Sequence, residues 1–261
     1  MKIKEIENTE LQINKVNMNC DKCIQDSKGR SIIPPLMNTS HFYIISGASG
    51  SGKTNLIVNL LKSNKQTKDK KHKLSYRKMF NKIVFVSPSA DTITNSPIEK
   101  IADEQKFTEL SEDVFDYVDD ISEDAVDNDK HNLLILDDVS SQLRSKENEK
   151  KLNQIIKNRR HKNLSVWIIG HRLIDFQPSL RTNANMIFIF NPKTNKELET
   201  IQSEYFLMPR KEANEIMNSV YKTRYDFMII DTSLRTGSTF RFFRNFNELV
   251  FEDEDKNENV K

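Results

Sequence analysis

At 261 residues, 36% hydrophobic and 30% charged, with 15 Phe, the chain has material for one substantial α/β domain with appendages and too little for two full ones. A formal net charge of +2 does not announce a nucleic-acid partner, so any such contact has to come from local charge. The two cysteines fit a reducing compartment without structural disulfides; the first residues lack a signal-peptide core, and no run approaches the roughly 18 apolar residues of a membrane span, so a soluble, non-secreted protein is expected.

Residues 1–36 read as an N-terminal extension. Within it, 11–16 alternates like a short strand. Cys20-Asp-Lys-Cys23 has the spacing of a zinc knuckle, but the chain contains no second cysteine pair, and an ordinary turn is the simpler reading. Pro34 and Pro35 bar a helix before the apolar run Phe42-Tyr-Ile-Ile45. That run leads into Gly47-Ala48-Ser49-Gly50-Ser51-Gly52-Lys53-Thr54, a full match to the phosphate-loop pattern G-x-x-x-x-G-K-[ST], and Asn55 continues into a helical start. Three of the chain's 6 Gly are spent here. Small residues let successive backbone N–H groups turn toward phosphates, and the following helix N-terminus adds partial positive charge. Lys53 is expected on the β- and γ-phosphates and Thr54 on Mg²⁺, which makes the ligand a nucleoside triphosphate.

A basic stretch, 62–82, follows; it reads equally as a solvated loop or as a surface for a phosphate backbone. A buried strand is expected over 82–88. Residues 99–129 are strongly acidic with apolar residues at near-helical spacing, which predicts an amphipathic helix with a solvated acidic face. Asn132-Leu-Leu-Ile-Leu-Asp137-Asp138 then describes a central strand delivering two carboxylates at its C-terminal end, where open α/β sheets place their chemistry. About 80 residues after a full phosphate loop, Asp137 is expected to hold Mg²⁺ and Asp138 to polarise the attacking water. A charged helix over 142–162 ends in Arg159-Arg160-His-Lys, and a further strand, 164–171, ends on His171, a polar tip able to hydrogen-bond a γ-phosphate or simply to cap a turn. The remaining elements are a strand over 185–190, helices over 197–206 and 209–221, and two late strands, 224–231 and 238–245, paired antiparallel at the sheet edge. An acidic tail closes the chain.

The order predicts a P-loop NTPase: a doubly wound, mainly parallel α/β sheet with helices on both faces and antiparallel edge strands, over 37–247, followed by a disordered tail, 248–261. A GTPase is disfavoured because no Asn-Lys-x-Asp motif occurs. Over roughly 33–232 the chain resembles the genome-packaging ATPases of the FtsK/HerA superfamily found in poxviruses, large DNA viruses and virophages. The resemblance rests on Gly47–Thr54, on 133–138 and on the block 159–172, where His171 stands in place of the family's usual Gln sensor. It implies ATP and Mg²⁺ as ligands and a homo-oligomeric ring of five or six subunits that translocates double-stranded DNA into a capsid. It further implies a capsid or portal docking partner and residence in the host-cell cytoplasm, at the virus factory, or in the virion. An arginine acting across the subunit interface is also implied, with Arg159 or Arg160 the candidate. A small-molecule kinase and an ATP-switch assembly protein are the alternatives; the first lacks a recognisable acceptor lid, and intact Lys53, Thr54, Asp137 and Asp138 argue against the second.

Overall fold

Strand β1 (Phe42–Ser46) is buried along its whole length, and the chain is wound on both sides of it. In a computed structural model, residues 22–26, 29, 31–32, 34–64, 74–90, 96–236 and 239–250 are described. After β1 come α1 (Lys53–Leu61), a two-residue ladder of β2 (Ser63–Asn64) with β3 (Leu74–Ser75), β4 (Ile83–Val86), β5 (Lys106–Phe107) and α2 (Glu112–Asp127). The middle of the chain supplies β6 (Asn132–Asp137), α3 (Lys146–Asn158), β7 (Leu164–Gly170), α4 (Pro178–Asn183) and β8 (Met186–Phe190). It closes with α5 (Asn195–Tyr205), α6 (Arg210–Val220), β9 (Phe227–Thr236), β10 (Thr239–Arg244) and β11 (Asn247–Leu249).

Nine strands form one sheet in the order β11-β10-β9-β8-β1-β7-β6-β4-β5. From β8 to β5 every pairing is parallel, whereas β9, β10 and β11 are joined antiparallel. The expected mixed sheet with an antiparallel edge is what the chain forms. Strand periodicity of two divides the apolar side chains between two layers. Phe42, Ile44, Leu134 and Leu136 face α2, α3, α5 and α6, while Tyr43, Ile45, Leu133 and Ile135 face α1 and the turn carrying Tyr76 and Met79. Because β6 and β7 are buried on both faces, they read as continuous apolar runs rather than alternating ones.

Three segments depart from expectation. The helix expected across 99–129 occupies only Glu112–Asp127; Lys106–Phe107 joins the sheet as β5 beside Phe85 and Val86, and Leu110 is fixed by its amide donating to Gln142 Oε1 at 2.5 Å. The acids Glu112 and Asp113 then sit in the first turn, where the helix dipole favours them. The helix expected over 142–162 shortens to Lys146–Asn158, so Arg159 and Arg160 lie past its end. A short helix, Pro178–Asn183, was not foreseen; Pro178 starts it at a position that needs no N–H. The strand expected over 11–16 and Cys20 lie outside the described residues, as do 65–73 of the basic stretch and 251–261 of the tail.

At the N-terminal ends of β1 and β7, polar groups are buried together. Trp167 donates its indole N–H to His41 Nε2 at 3.0 Å, so the His41 proton resides on Nδ1, where it faces Thr39 O at 2.8 Å and Ser165 Oγ at 3.2 Å. Ser165 Oγ in turn lies 3.0 Å from His131 Nε2, and the His41 and Tyr43 rings stack at 4.1 Å. Burial pushes both histidines down to about 3.

Candidate active site

The C-terminal tips of β1, β7 and β6 are neighbours, and each carries part of one charged cluster. From β1 the chain turns at Gly47, whose amide donates to Gly170 O at the tip of β7 (3.2 Å). A Cβ at Gly47 would lie 2.6 Å from Phe190 Cβ and 2.7 Å from Ser51 Oγ, so only glycine lets the loop pass this close to β8. Gly52 caps α1 with φ +111°, a conformation side chains resist, and this aims the first turn of the helix at the loop. Lys53 folds back over the loop, donating to Gly47 O at 2.6 Å and Ala48 O at 3.1 Å. Thr54 and Asn55 are exposed at the helix start, with Asn59 donating to Asn55 O and Oδ1.

Asp137 closes β6 and is buried. Burial first, and the neighbouring Asp138 second, raise its carboxyl to about 6, against the opposing pull of Lys53 and His171. Burial likewise lowers the Lys53 ammonium, and Asp137 and Asp138 counteract it. Asp138 takes a left-handed backbone (φ +57°) that acidic residues tolerate better than most, and its amide donates to Ile169 O. The outcome is an exposed carboxylate whose Oδ1 meets His171 Nε2 at 3.0 Å. The turn behind His171 is held by Leu173 N donating to Glu197 Oε1 (2.9 Å) and by the Arg172–Asp175 pair.

The cluster suits a phosphorylated ligand with a divalent cation. Ser46, Ser51 and Ser140 keep buried hydroxyls with no hydrogen-bond partner among the described residues, and all three belong to this edge. Buried polar groups normally find partners, so a ligand rich in acceptor oxygens is a fitting complement. A carboxylate raised by burial and by a second carboxylate, on the strand tip facing Lys53, together with an exposed hydroxyl at Thr54 in the first turn of α1, is a donor set of the kind that holds Mg²⁺ with one or two protein oxygens beside substrate phosphates.

The loop, Lys53, Asp137, Asp138 and His171 are thus brought together, and His171 meets Asp138 directly, a pairing the sequence gave no sign of. Arg159 is not brought there. It stands at the opposite edge, where Nη1 donates to Ile156 O at 2.7 Å and Nη2 to Asn185 Oδ1 at 2.9 Å, and Asn185 Oδ1 also accepts from Phe42 N. Those bonds tie the end of α3 to the starts of β1 and β8, so this guanidinium is already engaged within the fold. Arg160, next to it, is exposed. Of the basic stretch, Arg77 is bound to Lys100 O and Lys82 lies over the Tyr117 ring.

Sequence reading missed the turn beside the loop. Arg224 and Tyr225 were counted into a strand that begins at Phe227, yet they lie against the phosphate loop: a Cβ at Gly50 would be 3.7 Å from Arg224 Nη2, and one at Gly52 would be 3.4 Å from Tyr225 Cδ1. The signal available was the polar Arg-Tyr-Asp triplet ahead of the apolar run 227–230.

A family model described as Poxvirus A32 protein matches residues 34–259. Among solved structures, the genome-packaging NTPase B204 from Sulfolobus turreted icosahedral virus 2, in complex with ATP-gammaS, aligns with TM-score 0.52 and 19% identity over 79% of this chain and 97% of that one. The same NTPase in complex with AMP aligns with TM-score 0.50 and 18% identity over 79% and 98%. The cytoplasmic domain of the Thermomonospora curvata type VII secretion ATPase EccC gives TM-score 0.51 and 14% identity over 89% of this chain and 29% of that chain. At these identities the likeness establishes the P-loop NTPase fold. Comparison with curated proteins gave no match.

Proposed function

The chain belongs to the poxvirus A32 protein family, and from that premise we propose that it is a genome-packaging ATPase that hydrolyses ATP to drive double-stranded DNA into a viral capsid. The observation that carries this reading is the convergence of Lys53, Asp137, Asp138 and His171 on the phosphate loop from three adjacent strand tips.

The backbone N–H groups of 47–54 bind the phosphates, and Lys53 exchanges its bonds to Gly47 O and Ala48 O for the β- and γ-phosphate oxygens. Thr54 and Asp137 hold Mg²⁺, which when bound neutralises charge on the phosphates. Asp138 accepts a proton from the attacking water, and the His171 Nε2–H donates to its Oδ1, fixing the orientation of the carboxylate. His171 therefore acts through Asp138 as a positioning residue. Arg160, exposed beyond α3, is the candidate to reach a neighbouring subunit's γ-phosphate in a homo-oligomeric ring of five or six copies, a contribution worth about 10³–10⁵ in rate where it operates. The ring docks on a capsid or portal component, in the infected cytoplasm or the virion, and no described helix is long and apolar enough to cross a membrane. The solved viral NTPase of similar fold binds ATP-gammaS, which supports ATP as the ligand.

The test is steady-state ATP hydrolysis by the full chain with and without long double-stranded DNA. DNA is expected to stimulate hydrolysis, the stimulation to decline with salt, and Lys53→Ala to abolish both basal and stimulated rates. Hydrolysis indifferent to DNA under conditions that form the oligomer overturns the translocase reading and leaves an ATPase acting on another partner.

A further inference from the structure

We propose that the cleft between the phosphate loop and the turns 191–193 and 222–226 receives the nucleoside end of the bound triphosphate, with the base stacked on Tyr225. The inference rests on the nucleotide-binding reading of the loop and extends it to the part of the ligand beyond the phosphates.

Sheet order gives the direction. The acids and His171 lie at the tips of β6 and β7, on one side of β1, so a γ-phosphate lying beside them leaves the nucleoside to extend toward the other side. There β8 ends at Phe190, and β9, running antiparallel with Phe227 opposite Phe190, begins at the same edge. The cleft between them and the loop is lined by residues 48–51 of the loop, by Asn191, Pro192 and Lys193 and by Arg224, and has a volume of about 430 Å³, suited to a nucleoside; Tyr225 stands at its margin, next to Arg224 and against Gly52.

Tyr225 is 60% exposed, the most exposed aromatic side chain among the described residues. The Arg224 guanidinium stands 5.4 Å from its ring centroid, a cation–π contact that holds the ring upright beside the loop. Below it, Asp226 is buried and ties the turn down: Oδ2 accepts from Lys222 N (3.0 Å), Thr223 N (2.7 Å) and Arg244 Nη2 (3.0 Å), and Oδ1 from Asn245 Nδ2 (3.0 Å). A turn anchored by four hydrogen bonds to one carboxylate, displaying an exposed aromatic ring beside a phosphate loop, is a pre-organised stacking platform.

Equilibrium binding of ATP and of inorganic triphosphate to the full chain, both with Mg²⁺, separates base from phosphate recognition. Tyr225→Ala is expected to weaken ATP by about 5- to 150-fold, the span of base–aromatic stacking, and to leave triphosphate binding unchanged, while Tyr225→Trp keeps ATP binding at least as tight. Tyr225→Ala binding ATP like the wild type, or losing ATP and triphosphate equally, overturns the proposal. Lys53→Ala is the control for the parent reading: it weakens both probes, and if it weakens neither, it is the phosphate-loop reading that fails.

Discussion

Arg159 and Arg160 are adjacent in the chain but differ in what they are tied to. Arg159 spends its guanidinium on Ile156 O and Asn185 Oδ1, bridging the end of α3 to the start of β8, whereas Arg160 is exposed. Removing one partner of such bonds costs about 1–3 kcal/mol. Arg159→Ala should therefore lower the thermal midpoint by roughly 2–12 °C, given the usual shift per kcal/mol for a domain of this size. Arg160→Ala should reduce hydrolysis by the assembled protein out of proportion to any shift of the midpoint, toward the loss of about 10³-fold typical of a missing finger. Calorimetry paired with ATPase assays on both variants checks this; the reverse pattern returns the finger to Arg159. Sequence could not separate the two, because both sit in one basic run and only the position of Asn185, 26 residues on, distinguishes them.

At the scale of elements, β1 and β7 are joined at one end by chemistry and at the other by burial. Their C-terminal tips carry Gly47 and Gly170, hydrogen-bonded to each other, and their N-terminal ends share the His41–Ser165–His131 network. Both histidines are neutral in the fold with values near 3, against 6.5 when exposed, so the folded state binds fewer protons than the unfolded chain between those limits. Their contribution is fully present above pH 6.5 and is lost as the pH falls toward 3; at pH 5 the loss is about 2 kcal/mol for each. Asp137 acts in the opposite sense, since a carboxyl raised to about 6 relieves about 1 kcal/mol over the same interval. Denaturant unfolding at pH 7.5 and pH 5 should show a net fall in stability on acidification, and a stability flat across that window contradicts the neutral assignment. The strands themselves were legible because β1, β6, β7 and β8 are buried on both faces and write themselves as largely apolar runs, each followed or closed by a small or polar residue. The stretch 99–111 was not, because Phe107 and Leu110 fall at helical spacing by coincidence; pairing with β4 and the Gln142 contact decide its form, and neither is local in sequence. The phosphate loop and the paired acids were legible since their spacing is dictated by ligand geometry. The Asp138–His171 contact and the Arg224–Tyr225 turn were not, because both depend on which strands become neighbours.

For the whole molecule, the order β8-β1-β7-β6 places the phosphate loop between the Arg224–Tyr225 turn on one side and Asp137, Asp138 and His171 on the other. On the β8 side the loop borders the cleft next to Tyr225, and on the β7 and β6 side it borders the charged cluster, so on the proposed reading a triphosphate laid across β1 would be held at both ends. Hydrolysis and binding should then be separable by substitution. Asp138→Asn is the sharpest probe, because asparagine keeps the shape and tolerates the φ of +57° while losing the carboxylate proposed to accept the proton. MgATP affinity and single-turnover hydrolysis, measured on the same preparation of the full chain, test the account most directly. The prediction is affinity like that of the wild type with hydrolysis reduced by about 10²-fold or more, as expected when a general base is removed. Hydrolysis at the wild-type rate in Asp138→Asn would contradict the assignment of the strand tips as the catalytic centre.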